Sequence, residues 1–504
     1  MLISEWLDKI NFSSDDEIKE YFFNLLKVNK NLADIHFIKE NLDSIIFIIY
    51  KFANDPLETQ KNILNKLNCN FNDLVKMNFL IRESIEIQEL ILKKGSGEKY
   101  WNSILPFAKH TDKVLNYEYN FPLRIAFFPG ISCMFYCGFC GRNQNAKYPI
   151  FSAKEGIEKL KSVIDEINQN TAISISGGLE PLTNPFLGDL ISYARSKNLK
   201  VPLITNAYSM TDAYINKNPG IWDSDSVRVS LYGVDEQTYN FVTRSIKSFK
   251  MVKKNSINFL SRRNNNNPKI KFGFNYIILK ENIKDIRKLC EYIYEINNTS
   301  NSKVDFLTLR EDFGSVTGHN TNLDIIRKYR LNGFLNKNDR KYLKDELLFL
   351  EEFKNKNFPE MNIDYGYALK GVINNKFDYY LVRAEDNEVS KVGYPQLSVA
   401  IDLFGDVFLY REAGFLDRDG NQDFIIGRIE KENNLEKIIT NHLKKNDNSI
   451  ISNSTRFLDS FDHLLTKLVS QAKNDKNIGI PFSKGPIKQR SEQVFINLGN
   501  NWYN

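Results

Sequence analysis

Residues 130–143 read GISCMFYCGFCGRN and bring Cys133, Cys137 and Cys140 within eight residues of one another. Three thiolates at this spacing can wrap one face of a [4Fe–4S] cluster and leave the fourth iron without a protein ligand, open to a substrate or cofactor. A zinc site would need a fourth ligand, and no histidine falls between His110 and His319. Three buried structural cysteines would not require this spacing. Cys69 and Cys290 stand alone in helix-like segments, too few to complete a second all-cysteine centre. Five cysteines in 504 residues make no disulfide scaffold and suit a reducing compartment.

Outward from this stretch, short β-rich runs alternate with amphipathic segments. The pattern predicts strands at Leu123–Phe128, Ala172–Ser176, Val201–Thr205, Ser226–Leu231, Lys271–Ile277 and Val304–Leu309, with helices such as Ala153–Asn168 and Ile283–Ile296 between them. Six βα units make an α/β domain, a partial (β/α)6 barrel over 116–320, whose cysteine loop leaves the first strand. Asn264–Asn267 before Pro268 reads as a surface loop. Residues 1–115 read as a helical N-terminal domain: Ser14 and Glu17 form a capping box, and further helices are expected at Ile35–Phe52, Leu57–Leu67 and Phe79–Leu92 before a break at Gly95–Gly97. Residues 321–364 read as connecting helices, with Lys341–Phe353 lying on the barrel. Residues 365–504 read as a small α+β C-terminal region. There LSVAIDL and VFLY form a hairpin about Gly405 and Asp406, followed by a strand and a helix burying Leu435, Ile438, Ile439 and Leu443.

Composition narrows the function classes. Lys+Arg exceed Asp+Glu by 68 to 62, a net charge of +6, which is no footprint of a nucleic-acid binder. The longest strongly apolar run, Ile45–Tyr50, is far short of the roughly 18 residues of a membrane span. The opening MLISEWLDKI has neither a basic n-region nor an apolar h-region. A soluble cytoplasmic protein with no nucleic-acid or membrane partner is expected.

The CxxxCxxC spacing, with the aromatic Phe139 just before its third cysteine, resembles the signature of the radical S-adenosylmethionine (SAM) superfamily. The resemblance implies that Cys133, Cys137 and Cys140 hold one [4Fe–4S] cluster. It also implies that the open iron chelates SAM, and that reductive cleavage releases a 5′-deoxyadenosyl radical. A second motif, ISISGGLEPLTNP at 173–185, puts Gly177 and Gly178 just after the second strand, where missing side chains let a ligand approach backbone closely. Alone it reads as a tight turn. By resemblance Gly177, Gly178 and Glu180 hold the SAM amino group, although Leu179 interrupts the family's GGEP run. By the same resemblance Asn206, Ser230 and Asn275, at the third, fourth and fifth strands, contact SAM. Read singly, each is equally a polar cap on a strand end.

The segment QLSVAIDLFGDVFLYREAGF, 396–415, is similar to the start of a SPASM-type extension, but Tyr410 and Arg411 stand where its first cluster cysteine is expected and no cysteine follows. Without auxiliary clusters, chemistry that removes no net electrons from the substrate is favoured. Two arginine–acid pairs, Arg310–Glu311 and Arg411–Glu412, suit a diphosphate or carboxylate with a neighbouring amine or hydroxyl, or else are structural ion pairs. Together with Tyr410 they are the candidate substrate contacts. The whole chain resembles the radical SAM ammonia-lyases of deoxyaminosugar biosynthesis that act on TDP-4-amino-4,6-dideoxyglucose. That implies a carbon–nitrogen lyase with a nucleotide-sugar substrate and a flavodoxin or ferredoxin-type reductant. The rivals are a radical SAM dehydrogenase or epimerase acting on a peptide or another sugar, and a zinc-stabilised binding protein using the same cysteines.

Overall fold

The computed structural model describes residues 14–54, 60–84, 86–87, 90, 107, 110–137, 140, 147–168, 170–279, 281–311, 337–366, 369, 392–416, 420–450 and 460–477. They fall in two compact units, one built on Met1–Asn116 with Leu464–Leu498 and the other on Tyr117–His463.

The first unit is helical. Its helix Asp15–Leu26 starts where the capping box predicts, with the Glu17 amide donating to Ser14 Oγ at 3.3 Å. Helices Leu32–Asn54 and Gln60–Leu67 follow. The helix predicted at Phe79–Leu92 is interrupted at the extended Ser84: Phe71–Glu83 is one helix, starting earlier than expected, and Glu86, Ile87 and Leu90 are helical beyond the break. Asn70 caps its start by accepting from the Asp73 amide at 2.9 Å, and Leu74, Met77 and Ile81 are fully buried along it at helical spacing. The Gly95–Gly97 break lies outside the described residues.

In the second unit the six predicted strands appear within two residues of their expected ends. They are β1 Arg124–Phe128, β2 Ala172–Ile175, β3 Pro202–Thr205, β4 Ser226–Leu231, β5 Lys271–Ile278 and β6 Phe306–Glu311, each parallel to the next. The sheet continues at both edges. β7, Asn362–Tyr365, adds to β6 in parallel, within the stretch expected to hold only connecting helices. A four-residue strand with alternating polar positions carries too weak a pattern to be seen in sequence. β8, Ser398–Asp402, pairs in parallel with β1; its predicted hairpin partner, β9 Asp406–Phe408, and the short strand predicted after it, β10 Ile425–Arg428, add antiparallel beyond it. The hairpin of the C-terminal region is therefore the far edge of the same ten-stranded sheet, in the order β10-β9-β8-β1-β2-β3-β4-β5-β6-β7. The six-stranded core retains the architecture of a partial barrel.

Asn264–Asn266 do not form a loop: they are the last turn of the helix Ser248–Asn266, and only Asn267 leaves it, its side-chain amide donating to the Trp222 carbonyl at 2.7 Å. One face of the sheet is packed under the helices, with Ile125, Phe127, Ile175, Val229, Phe274 and Leu309 in one apolar core with Leu160, Leu190, Phe259 and Leu289. Each such side chain contributes about 1.5–3 kcal/mol. Helix Lys337–Asn357 joins that core through Leu343, Leu347 and Leu350, as expected of the predicted amphipathic segment. The opposite face changes character along the sheet. Near β1, β8 and β9 it is apolar, with Phe128, Ala400 and Phe408 packed on Phe415 and Phe424. From β2 to β6 it carries Ser174, Ser176, Arg228, Ser230 and Thr308, all buried.

Candidate active site

The cysteine loop is gripped along its length. At its base the Tyr148 amide donates to the Ile131 carbonyl at 2.8 Å, and the Tyr148 hydroxyl donates to Asp402 Oδ2 at 2.6 Å, tying the loop to β8. At its centre Phe135 is buried edge-on to Tyr208, Tyr232 and Tyr239, with ring centroids 5.8, 6.4 and 6.0 Å away. The Tyr136 amide donates to the Thr243 carbonyl at 2.9 Å, and the Cys140 amide to the Cys137 carbonyl at 3.1 Å, which holds two of the cysteines together. Cys137 is buried while Cys133 and Cys140 are half-buried. Phe139 lies outside the described residues.

The three sulfurs share a neighbour. Burial pushes the Tyr232 hydroxyl far above the ordinary phenol range, the Cys137 thiolate adds to the rise, and Cys133 and Cys140 act in the same sense, while Ser230 opposes them by hydrogen bonding. Among the described residues no three Cys, His, Asp or Glu side chains stand in a ready metal-ligating arrangement. The donor set nevertheless fits an iron–sulfur cluster: three soft thiols on one constrained loop, all within electrostatic reach of one buried phenol.

The glycine segment is laced to that loop. The Glu180 amide donates to the Ser132 carbonyl at 2.9 Å, and Thr183 Oγ1 accepts from the Ile131 and Ser132 amides at 3.0 and 3.2 Å. The Glu180 carboxylate is 4% exposed and accepts from the Leu182 amide at 3.1 Å, the Asn206 amide at 2.7 Å and the Thr205 hydroxyl. Burial raises its pKa and those three donors pull it back. The carboxylate is thus a strut between the loop after β2 and the end of β3. Gly177 has a φ of +143°, which side chains rarely adopt, and a Cβ on Gly178 would come within 2.6 Å of the Phe415 ring. The C-terminal segment thus packs closely on Gly178.

Asn206 joins the two motifs. Its side-chain amide donates to Met134 Sδ at 3.2 Å and reaches Cys133 Sγ at 3.8 Å. Ser230 and Asn275 lie in register on β4 and β5. The substrate candidates scatter. Arg310 is exposed at the end of β6; Glu311 ends that strand and its side chain is not among those described. Tyr410 is buried against Phe424 and its hydroxyl donates to the Val392 carbonyl, so it faces the hairpin. Glu412 is half-buried in the short turn Arg411–Gly414. Arg411 Nη2 donates to Ser176 Oγ at 3.2 Å, directly before the two glycines, and its amide donates to Asp462 at 3.1 Å. Arg411 is therefore held at the end of β2, whereas Arg310 is carried by β6, four strands along the sheet. Sequence reasoning missed Thr183, Thr205 and Tyr232. Only Tyr232 had a signal, two residues after Ser230 in VSLYG.

Residues 128–293, which carry the cysteine loop and the strands around it, match the family model of the Radical SAM superfamily. Among curated proteins it is similar to the dTDP-4-amino-4,6-dideoxy-D-glucose ammonia-lyase of Streptomyces venezuelae, with 29% identity over 88% of this chain and 90% of the relative. Among solved structures it is similar to SuiB from Streptococcus suis, with a TM-score of 0.40, 14% identity, and 77% of this chain and 75% of that one covered. It is likewise similar to anSMEcpe with bound AdoMet and Cp18Cys peptide, with a TM-score of 0.41, 14% identity, and 75% and 99% covered. No helix among the described residues is long and apolar enough to cross a membrane.

Proposed function

We propose that this protein deaminates a nucleotide-activated amino sugar of the TDP-4-amino-4,6-dideoxyglucose type to a 3-keto deoxysugar. The observation that carries the reading is 29% identity to an ammonia-lyase over 88% of the chain, in a structure whose cysteine loop and glycine segment are joined through Asn206. Cys133, Cys137 and Cys140 would hold the [4Fe–4S] cluster. With SAM bound and an electron from a flavodoxin or ferredoxin-type donor in the cytoplasm, that cluster would supply the radical chemistry needed to remove hydrogen from C3 of the sugar.

The chain's own residues orient and enclose. Glu180 locks the glycine segment against β3, so that Gly177 and Asn206 present backbone and amide groups to SAM beside the sulfurs, with Ser230 and Asn275 next in line. Arg411, beside the glycines, is the better placed of the two arginines for an anionic group near SAM. Arg310, at the rim, suits the diphosphate farther out. The overall change is redox-neutral: the C3 carbinol becomes a ketone, while C4 loses its amine as ammonia and gains a hydrogen. This agrees with the absence of cysteines after Cys290 for further clusters.

The test is anaerobic incubation of reconstituted protein with SAM, reductant and TDP-4-amino-4,6-dideoxyglucose, followed by mass spectrometry and ammonia assay. Stoichiometric ammonia with the keto product is expected. A product two mass units lighter with its nitrogen retained would make the enzyme a dehydrogenase instead.

A further inference from the structure

Next to the cysteine loop the surface is at once apolar and basic. The Tyr136 amide is bonded to the carbonyl of Thr243, the last residue of helix Glu236–Thr243. Tyr136 is exposed, and so are Phe241, Ile246 and Met251 just beyond, with Phe241 60% and Ile246 81% open to solvent. Large apolar side chains gathered in this way mark an interaction site. The charge around them is of one sign. From Gln237 to Lys280 the sequence holds ten Lys and Arg and no Asp or Glu, in a chain whose totals are 68 and 62. Lys247, Lys250, Met251 and Lys254 fall at helical spacing along the exposed side of helix Ser248–Asn266 and its cap. The acids that precede the run are engaged, Glu236 by Lys250 at 3.2 Å and Asp235 by Lys288 at 3.0 Å.

The turn between the two helices carries Arg244 and Lys247 at φ +53° and +64°, the left-handed region that favours glycine. Long basic side chains are kept there although glycine would strain the backbone less. Beneath the surface lies a single packed layer. Tyr239 and Phe249, buried on the same two helices, have ring centroids 5.6 Å apart, and Tyr239 stands 6.0 Å from both Phe135 of the cysteine loop and Tyr232. The route through bonds is also short, because the hydrogen bond from Tyr136 to Thr243 leads straight into the backbone of Cys137. Electron transfer weakens steeply with distance and across gaps; here one hydrogen bond and one layer of rings separate the surface from the sulfurs.

We propose that Tyr136, Phe241, Ile246 and Met251, with Lys247, Lys250 and Lys254, form the docking surface for the one-electron donor, a small acidic carrier of the flavodoxin or ferredoxin type. The inference rests on the reading of Cys133, Cys137 and Cys140 as cluster ligands. The carrier is oxidised by one electron, the cluster is reduced by one, and no bond to the chain forms. Attraction between a basic surface and an acidic carrier speeds encounter, while a small apolar centre lets the carrier leave again, as in electron-transfer interfaces of less than about 1,200 Å². Ile150 and Phe151 are also exposed, at the far end of the loop, but the helix that follows them carries Glu155 and Glu158 paired among its lysines and lacks the one-sided charge.

Calorimetric titration of a purified flavodoxin into cluster-loaded and cluster-free protein, at low and at physiological salt and without any sugar, tests this. Binding should weaken with salt, and by about 10-fold or more when Lys247→Glu is combined with Lys254→Glu or Phe241→Ser with Ile246→Ser. Lys247→Gly should bind less tightly than wild type yet melt no lower, because glycine relieves the left-handed backbone. Phe151→Ser should bind flavodoxin as wild type does. SAM cleavage driven by dithionite, which needs no docking surface, should persist in every variant. Wild-type affinity in both double variants, or no binding by wild type, would overturn the surface and leave the deamination reading in place. A wild-type dimer that Phe241→Ser with Ile246→Ser dissociates would overturn it too, giving the face to a second copy of the chain. Failure of wild type to cleave SAM with dithionite would remove the cluster reading, and the surface with it.

Discussion

Gly178 and Glu180 each do something local that decides how two distant segments meet. At Gly178 a methyl group would press into the Phe415 ring, so Gly178→Ala should destabilise the protein by about 1–3 kcal/mol, and Phe415→Ala in the same chain should recover part of the loss. Thermal unfolding of the single and double variants checks this; additive losses would mean that the two positions do not touch. At Glu180 the carboxylate accepts from three internal donors. Glu180→Gln turns one acceptor oxygen into an NH2 group facing those donors. We expect a stability loss of about 1–3 kcal/mol that accompanies any weakening of SAM binding. Reduced SAM affinity at unchanged melting temperature would instead indicate direct contact with the cofactor.

At the scale of elements, the link between the cysteine loop and β8 is a titrating one. Burial is the first cause lifting Asp402 to about 7, with Asp406 adding to the rise and the Tyr148 hydroxyl opposing it. Asp406 is itself bound by Arg428 through two contacts of 2.6 and 2.9 Å. A carboxyl whose folded pKa lies above its unfolded value near 4 holds its proton better in the native state. Its contribution is therefore complete below about pH 4 and is lost as pH rises through about 7. The loss attributable to Asp402 amounts to up to about 4 kcal/mol across that window. Urea unfolding between pH 5 and 8 should show stability falling with pH in wild type and a flatter profile in Asp402→Asn. Identical profiles would remove Asp402 as the cause.

At the scale of the whole molecule, two expectations concern metal and substrate. If Cys133, Cys137 and Cys140 are the only protein ligands of one [4Fe–4S] cluster, reconstituted protein should bind about four irons per chain, and replacing any one cysteine with Ala should abolish SAM cleavage. Iron content fitting two clusters would contradict it. Arg310→Ala and Arg411→Ala should differ. Arg310 is exposed at a strand end, so its loss should raise the KM for the nucleotide sugar without altering the melting temperature. Arg411 is tied to Ser176 and Asp462, so its loss should lower stability as well. Steady-state kinetics beside thermal unfolding separates the two effects.

The six central strands were legible before folding because alternating apolar runs and glycine-rich ends are local signals, and CxxxCxxC is a local ligand pattern needing no tertiary context. The start of helix Asp15–Leu26 was legible for the same reason: its cap lies three residues from the amide it binds. What stayed hidden involved partners far apart in the chain. Residues 398–402 gave a strand, but nothing in them said that it would pair with Arg124–Phe128, and β7 was too short to announce itself. Nothing local in the glycine segment told that Thr205 and Asn206 would donate to Glu180 or that Phe415 would pack on Gly178. Periodicity and spacing carry which elements form and which chemistry the loop can hold; register and burial, which depend on residues hundreds of positions away, decide which polar groups remain for a ligand.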